Sequence, residues 1–209
     1  MLTVVSMIQA LALELLWSRV GEEAPRWTPG WEALLGWSQI AACLLGALLI
    51  WLLYLSMVIR FSWLPTIRDS TVPFAIGLLE FSLIDRIGSD SLGTWFGALA
   101  LLFSISIWIS HVTFRRARQD PANQEFFASL EPAGIRDFAA PLLSVLTLFV
   151  LAAIFSIVED RGGFALASIL LAIALIGLQL WGIRGWWQRA LGDAPSPESS
   201  TESASEDTP

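Results

Sequence analysis

The chain has no lysine, and it has one cysteine, one histidine and one tyrosine in 209 residues. A single cysteine, Cys43, excludes an internal disulfide and any zinc site assembled from several thiolates. At an apolar position it reads as a small buried hydrophobe. A single histidine, His111, excludes a histidine-rich metal centre, so neither a metal nor a cofactor is expected. All twelve basic residues are arginine, a codon habit of GC-rich bacterial genomes and not a physical requirement. Charged residues make up only 15% of the chain, against roughly 25% in ordinary soluble domains.

The net charge of −7 comes largely from one place. Asp193, Glu198, Glu202, Glu206 and Asp207 lie in the stretch 193–209, and the rest of the chain is close to balanced. That leaves no basic face for nucleic acid. The sequence also lacks a G-x-S-x-G elbow, a phosphate-binding glycine-lysine loop and a dinucleotide glycine pattern, so enzymatic activity is not expected.

What is present is apolar surface and tryptophan. Hydrophobic residues are 55% of the chain, the mean hydropathy is +0.64, and there are eleven Trp, a residue favoured at headgroup level in a bilayer. Six apolar segments stand out, at 2–17, 35–59, 72–87, 92–114, 138–158 and 163–187. About 17–25 apolar residues cross the hydrocarbon core as a helix. The second, fourth, fifth and sixth segments meet that length; the first and third are shorter and carry Glu14, and Glu80 with Asp85, respectively. The expected fold class is therefore an all-α polytopic bundle of about six transmembrane spans.

Orientation supports the third span. With the N-terminus inside, Arg60, Arg68, Arg115, Arg116, Arg118, Arg136, Arg184 and Arg189 fall on the inner side and Arg19, Arg26, Arg86 and Arg161 on the outer, which obeys the positive-inside bias. The expected location is the cytoplasmic membrane with both termini in the cytoplasm. Thr3, Ser6, Gln9, Glu14 and Ser18 share about half of a helical wheel, so the first segment is expected either to span or to lie in the outer interface as an amphipathic helix.

A repeat accompanies the spans. Ile67-Arg68-Asp69 followed by Pro73 returns as Ile135-Arg136-Asp137 followed by Pro141, 68 residues later. It suggests duplicated antiparallel hairpins: an N-terminal hairpin in 1–59, one repeat in 60–114, a cytoplasmic loop in 115–134, the second repeat in 135–192 and a disordered acidic tail in 193–209. Phe126, Phe127 and Leu130 suggest a short interfacial helix within the loop, between Pro121 and Pro132. In the repeated motif, Asp69 and Asp137 suit helix N-caps, with the prolines in the first turn. Arg68 and Arg136 would sit at headgroup level. The functional alternative is an inner gate formed by the two Arg-Asp pairs.

Glu80 is the sharpest single residue. Nine residues past Thr71, it lies about 13 Å along a helix, near mid-bilayer. A central charge costs roughly 2.5–3.5 kcal/mol on insertion scales, so the residue should face the bundle interior and be paired, protonated or wetted. His111 and, at the same 68-residue offset, Gln179 are hydrogen-bonding positions in the two repeats and would extend an ion or proton path from Glu80. Gly93, Gly97, Ala100 and Ser104, with Gly163 and Ala167, provide stripes of small residues for close helix contact.

Two functions fit these features. One is a small proton- or cation-linked permease or channel-like protein, since hairpin repeats with a polar position between them are a common transporter plan. The other is a non-transporting accessory or assembly subunit, whose partner would be a membrane or cytoplasmic protein. The lipid bilayer is a partner in both, and the sequence leaves the oligomeric state open.

Overall fold

The fold is taken from a computed structural model that describes residues 2–24, 29–60, 67–88, 91–124, 127, 139–158 and 162–192. Among these residues there is no strand. Six α-helices follow in order: α1 (Leu2–Glu23), α2 (Trp31–Arg60), α3 (Ile67–Asp85), α4 (Leu92–Gln119), α5 (Ala139–Phe155) and α6 (Gly163–Gly192). The all-helical class expected from the apolar segments is thus met.

Four helices, α1, α2, α4 and α6, are long and apolar enough to cross a membrane. The fifth apolar segment is shorter than its sequence suggested, because a turn at Ser156 and Ile157 ends α5 after 17 residues. Helix α3 has 19 residues but carries Arg68, Asp69, Glu80 and Asp85, which keeps it below the apolarity of the other four. Large apolar side chains are also exposed along the bundle, among them Leu11, Leu44, Leu78, Leu101, Leu146 and Leu178. A surface this apolar is the one expected of a membrane-embedded protein.

Pairwise contacts give the direction of each helix. Ile8 meets Gly77, Gln9 meets Glu80 and an Arg19 nitrogen reaches the carbonyl of Ile87 at 3.5 Å, so α1 and α3 run parallel. Gly88 N donates to Gln39 Oε1 at 3.1 Å while Cys43 and Glu80 share a cleft, so α2 runs antiparallel to α3. Met57 clusters with Ala117, and Gly93 and Gly97 pack on Ser156 and Ala152; α4 is therefore parallel to α2 and antiparallel to α5. Phe164 at the start of α6 stacks on Phe155 at the end of α5, with ring centroids 5.3 Å apart, and the chain reverses once more.

Alternation gathers the arginines. Arg60, Arg68, Arg115, Arg116, Arg118, Arg184 and Arg189 lie on helix segments at one end of the bundle, whereas Arg19 and Arg86 lie at the other. Arg136, Arg26 and Arg161 fall outside the described residues. Exposed Trp17, Trp31 and Trp37 stand toward the Arg19 end, and Trp108 and Trp181 toward the opposite one. Helix α1 lies lengthwise along α3 from Ile8 to Arg19, a geometry unlike that of a helix laid across the end of a bundle.

The hairpin expectation holds for α3 and α4, which pack together after a turn through Gly88, where φ is +74°. It does not hold for α5 and α6, which touch only slightly. Helix α5 packs chiefly on α4, and α6 chiefly on α2. In the first motif copy Pro73 is the seventh residue of α3 and lies inside that helix, while Ile135, Arg136 and Asp137 of the second copy lie outside the described residues. Ile67 and Arg68 are already helical, which leaves Asp69 in the first turn and not at the cap. A duplication of hairpins is thus not visible in the fold.

Close packing at α4 and α5 comes from glycine. A Cβ on Gly93 would lie 2.7 Å from Ser156 N and 2.9 Å from Phe155 C, so the two backbones meet where a side chain has no room. Phe96 stacks on Phe155 beside this contact, with ring centroids 5.4 Å apart. In a bilayer such packing, and not water exclusion, holds helices together. The expected stripe through Gly93, Gly97 and Ala100 is therefore a contact face, but Gly163 and Ala167 are exposed. Hydroxyls within the helices bond their own backbone, as Ser104 does to Ala100 O at 2.7 Å and Ser144 to Ala140 O at 3.0 Å. In the loop after α4, a 3-10 turn spans Pro121–Asn123 and Phe127 lies under the Arg118 guanidinium, 5.0 Å from its ring centre; Phe126 and Leu130 fall outside the described residues.

Candidate functional site

The site begins with two helical stripes. On α1 the buried positions are Val5, Ile8, Gln9, Ala12 and Leu16, and on α3 they are Pro73, Ile76, Gly77, Glu80, Leu83 and Ile84, with Ile87 buried in the turn that follows. Both follow the three- and four-residue spacing of a packed helix face. Gln9 and Glu80 thus occupy core positions that the period reserves for apolar side chains.

The two meet across the α1–α3 interface. Gln9 Nε2 donates to Glu80 Oε1 at 2.7 Å and to Oε2 at 2.9 Å, and Glu80 is 4% exposed. A hydrogen bond to a charged group contributes about 1.5–3 kcal/mol. That is of the same size as the roughly 2.5–3.5 kcal/mol cost at the very centre of a spanning helix, which is an upper bound for Glu80 because it lies nearer one end of α3. The amide therefore offsets much of the burial, but it brings no positive charge. Arg19, the arginine nearest the end of α1, pairs instead with Glu22 at 3.7 Å and Glu23 at 3.3 Å.

Glu80 also faces a small cleft. Its walls are Ala12 and Leu16 of α1, Cys43 and Gly46 of α2, Leu83 of α3 and Leu102 of α4, and it has room for about one water molecule. A carboxylate has about four lone-pair sites, of which Gln9 takes two. The rest are available to a proton, a water or a small cation. No cluster of three or more metal-ligating side chains occurs among the described residues.

The depth of the site differs from the sequence expectation. Because α3 starts at Ile67, Glu80 is thirteen residues from its start and five from its end. At 1.5 Å per residue it sits about 7 Å from the Arg19 end of the helix and about 20 Å from the other.

The other candidate residues are not gathered around it. His111 is exposed on α4, nine residues past Leu102, the α4 residue that lines the Glu80 cleft, which is about 13 Å further toward the arginine-rich end. Gln179 is half-buried on α6, with its Nε2 atom lacking an acceptor among the described residues. The suggested relay of Glu80, His111 and Gln179 is thus not assembled by contact. Arg68 and Asp69 lie in the first turn of α3; Arg136 and Asp137 lie outside the described residues, and the gate they would form with it is not addressed by the fold. Asp85 is exposed at the end of α3, while Arg86 donates to the carbonyl of Ser82 at 2.6 Å and to its hydroxyl.

Sequence reasoning missed Gln9 as the partner of Glu80. In the sequence Gln9 stands out only as part of a polar arc on the first segment, and the usable signal is its position in the 5-8-9-12-16 stripe. Comparison with protein-family models, with curated proteins and with solved structures found no match to this chain.

Proposed function

We propose that the chain is a small proton- or cation-linked permease or channel-like protein of the cytoplasmic membrane, with Glu80 as its ion-sensing group and Gln9 as the residue that positions it. The observation that carries this is the doubly bonded, buried Glu80–Gln9 pair between α3 and α1, a helix long and apolar enough to cross a membrane. A buried carboxyl held by a neutral amide keeps one geometry whether its remaining counter-charge is a proton or a small cation. Intramembrane ionisable groups are rare, face the bundle interior and mark ion and proton pathways in pumps and transporters. The arginine-rich end would face the cytoplasm.

An accessory or assembly subunit is the competing reading, and one feature favours it: the same pair also pins α1 to α3 and so has a purely architectural use. Proteoliposomes containing a pH-sensitive dye separate the two. For a proton-linked permease, wild-type protein should dissipate an imposed pH gradient and Glu80→Gln should not, although Gln keeps shape and hydrogen bonding. Equal flux in wild type, Glu80→Gln and empty vesicles would leave the subunit reading.

A further inference from the structure

The geometry of the Gln9–Glu80 pair limits what Glu80 can take up. Gln9 Nε2 stands 2.7 Å from Glu80 Oε1 and 2.9 Å from Oε2, so it lies between the two oxygens. A metal ion held by both oxygens of a carboxylate takes that same place, at about 2.3–2.6 Å for Ca2+. The amide nitrogen therefore fills the chelating position of the carboxylate.

The remaining lone pairs meet hydrocarbon. The cleft beside Glu80 is walled by Ala12, Leu16, Gly46, Leu83 and Leu102, whose side chains carry no oxygen, and Cys43 adds a thiol, a soft ligand poorly matched to hard cations. The backbone carbonyls of these wall residues belong to α1, α2, α3 and α4, where they point along the helix axis to their own bonding partners. With two lone pairs left on the carboxylate and one water in the cleft, the site offers about three oxygen ligands at most. Hard cations gather about six or more.

The charged groups nearby do not alter this count. The helices packed on α3 present Gln9 from α1, Cys43 from α2 and Leu102 from α4 to Glu80. Glu14 on α1 and Asp85 on α3 are exposed, and Tyr54 on α2 lines a separate cleft. Arg19 is engaged by Glu22, Glu23 and the carbonyl of Ile87, and Arg86 by Ser82.

We infer that the species Glu80 takes up is the proton, and that the site excludes Na+, K+, Mg2+ and Ca2+. The inference rests on Glu80 as the ion-sensing group and names its substrate. A proton adds to one lone pair of Oε1 or Oε2, converts the carboxylate into a neutral carboxyl group and requires no further ligand. It leaves by the reverse step.

Infrared difference spectroscopy of the full chain in nanodiscs tests this without transport, by following the carboxyl band of Glu80 as pH changes. Glu80→Gln removes that band and Glu80→Asp shifts it, so either variant assigns it. The Glu80 carboxyl should titrate between about pH 4 and 9. At constant ionic strength, with choline replacing the metal ion, a tenfold rise in Na+, K+, Mg2+ or Ca2+ should leave the midpoint in place. A cation competing for the same oxygens would lower the midpoint by about one unit for each tenfold rise, and that result would overturn the proposal. A Glu80 band that does not respond to pH across the range would overturn it as well. In parallel proteoliposome assays, flux lost in Glu80→Gln with a cation-sensitive midpoint removes proton selectivity alone. A cation-insensitive midpoint with flux indifferent to Glu80→Gln removes the ion-sensing role alone.

Discussion

At the residue scale, Gln9 and Glu80 hold each other in place. Truncating the donor leaves the carboxyl with a burial cost and no partner, so Gln9→Leu should destabilise the protein by about 1–3 kcal/mol in detergent unfolding. Glu80→Gln should cost much less, because amide-to-amide hydrogen bonding remains possible. The double variant Gln9→Leu with Glu80→Leu should recover most of the loss, and a double-mutant cycle should show coupling of about 0.5–3 kcal/mol. Additive single effects would mean that the two side chains do not interact in solution. Burial of Glu80 was legible from sequence, since an acid amid an apolar run must find the interior. Its partner was not legible: a glutamine seventy-one residues away is chosen by helix direction and register, which one chain does not announce.

At the element scale, α4 is the central helix, buried on the face that includes Trp95, Phe96, Leu99 and Leu102 and meeting α3 on one side and α5 on the other. Its contact with α5 depends on Gly93. Gly93→Val should therefore be destabilising by about 1–3 kcal/mol, because the atoms in the way belong to the backbone of Phe155 and Ser156 and cannot rotate aside. Gly77→Ala should be milder, since it adds a single methyl and meets one side-chain methyl, the Cγ2 of Ile8, which gives way by a small shift of α1 and not by a change of its restricted rotamer. Thermal unfolding of the two variants side by side tests the ranking, and equal losses would contradict it. The small-residue spacing predicted the α4 contact face correctly. It failed at Gly163 and Ala167 because a stripe of small residues permits close approach without requiring it, and α6 packs on α2 through Ala165, Ile169, Ala172 and Ile176 instead. The repeated Ile-Arg-Asp motif likewise promised more symmetry than the helices deliver. Four shared residues do not fix helix pairing: α3 packs on α4, whereas α5 packs chiefly on α4 and α6 chiefly on α2.

At the scale of the whole molecule, six alternating helices sort seven of the nine described arginines to one end and leave exposed tryptophans toward both. The helix count and the alternation were legible from hydropathy and loop length. Which helices would touch was not, since loop length constrains only sequential neighbours, while the parallel pairs α1 with α3 and α2 with α6 are set by packing. The central claim is that these helices cross a bilayer with the arginine-rich end inside. Single cysteines introduced at Ser91, Gly162 and Ala122 in a Cys43→Ser background, probed on intact cells with an impermeant maleimide, test it most directly. Ser91 and Gly162 should label from outside, and Ala122 only after the cells are opened. Labelling of Ser91 and Ala122 from the same side would contradict the alternation across the membrane, and labelling of Ala122 alone from outside would invert the orientation.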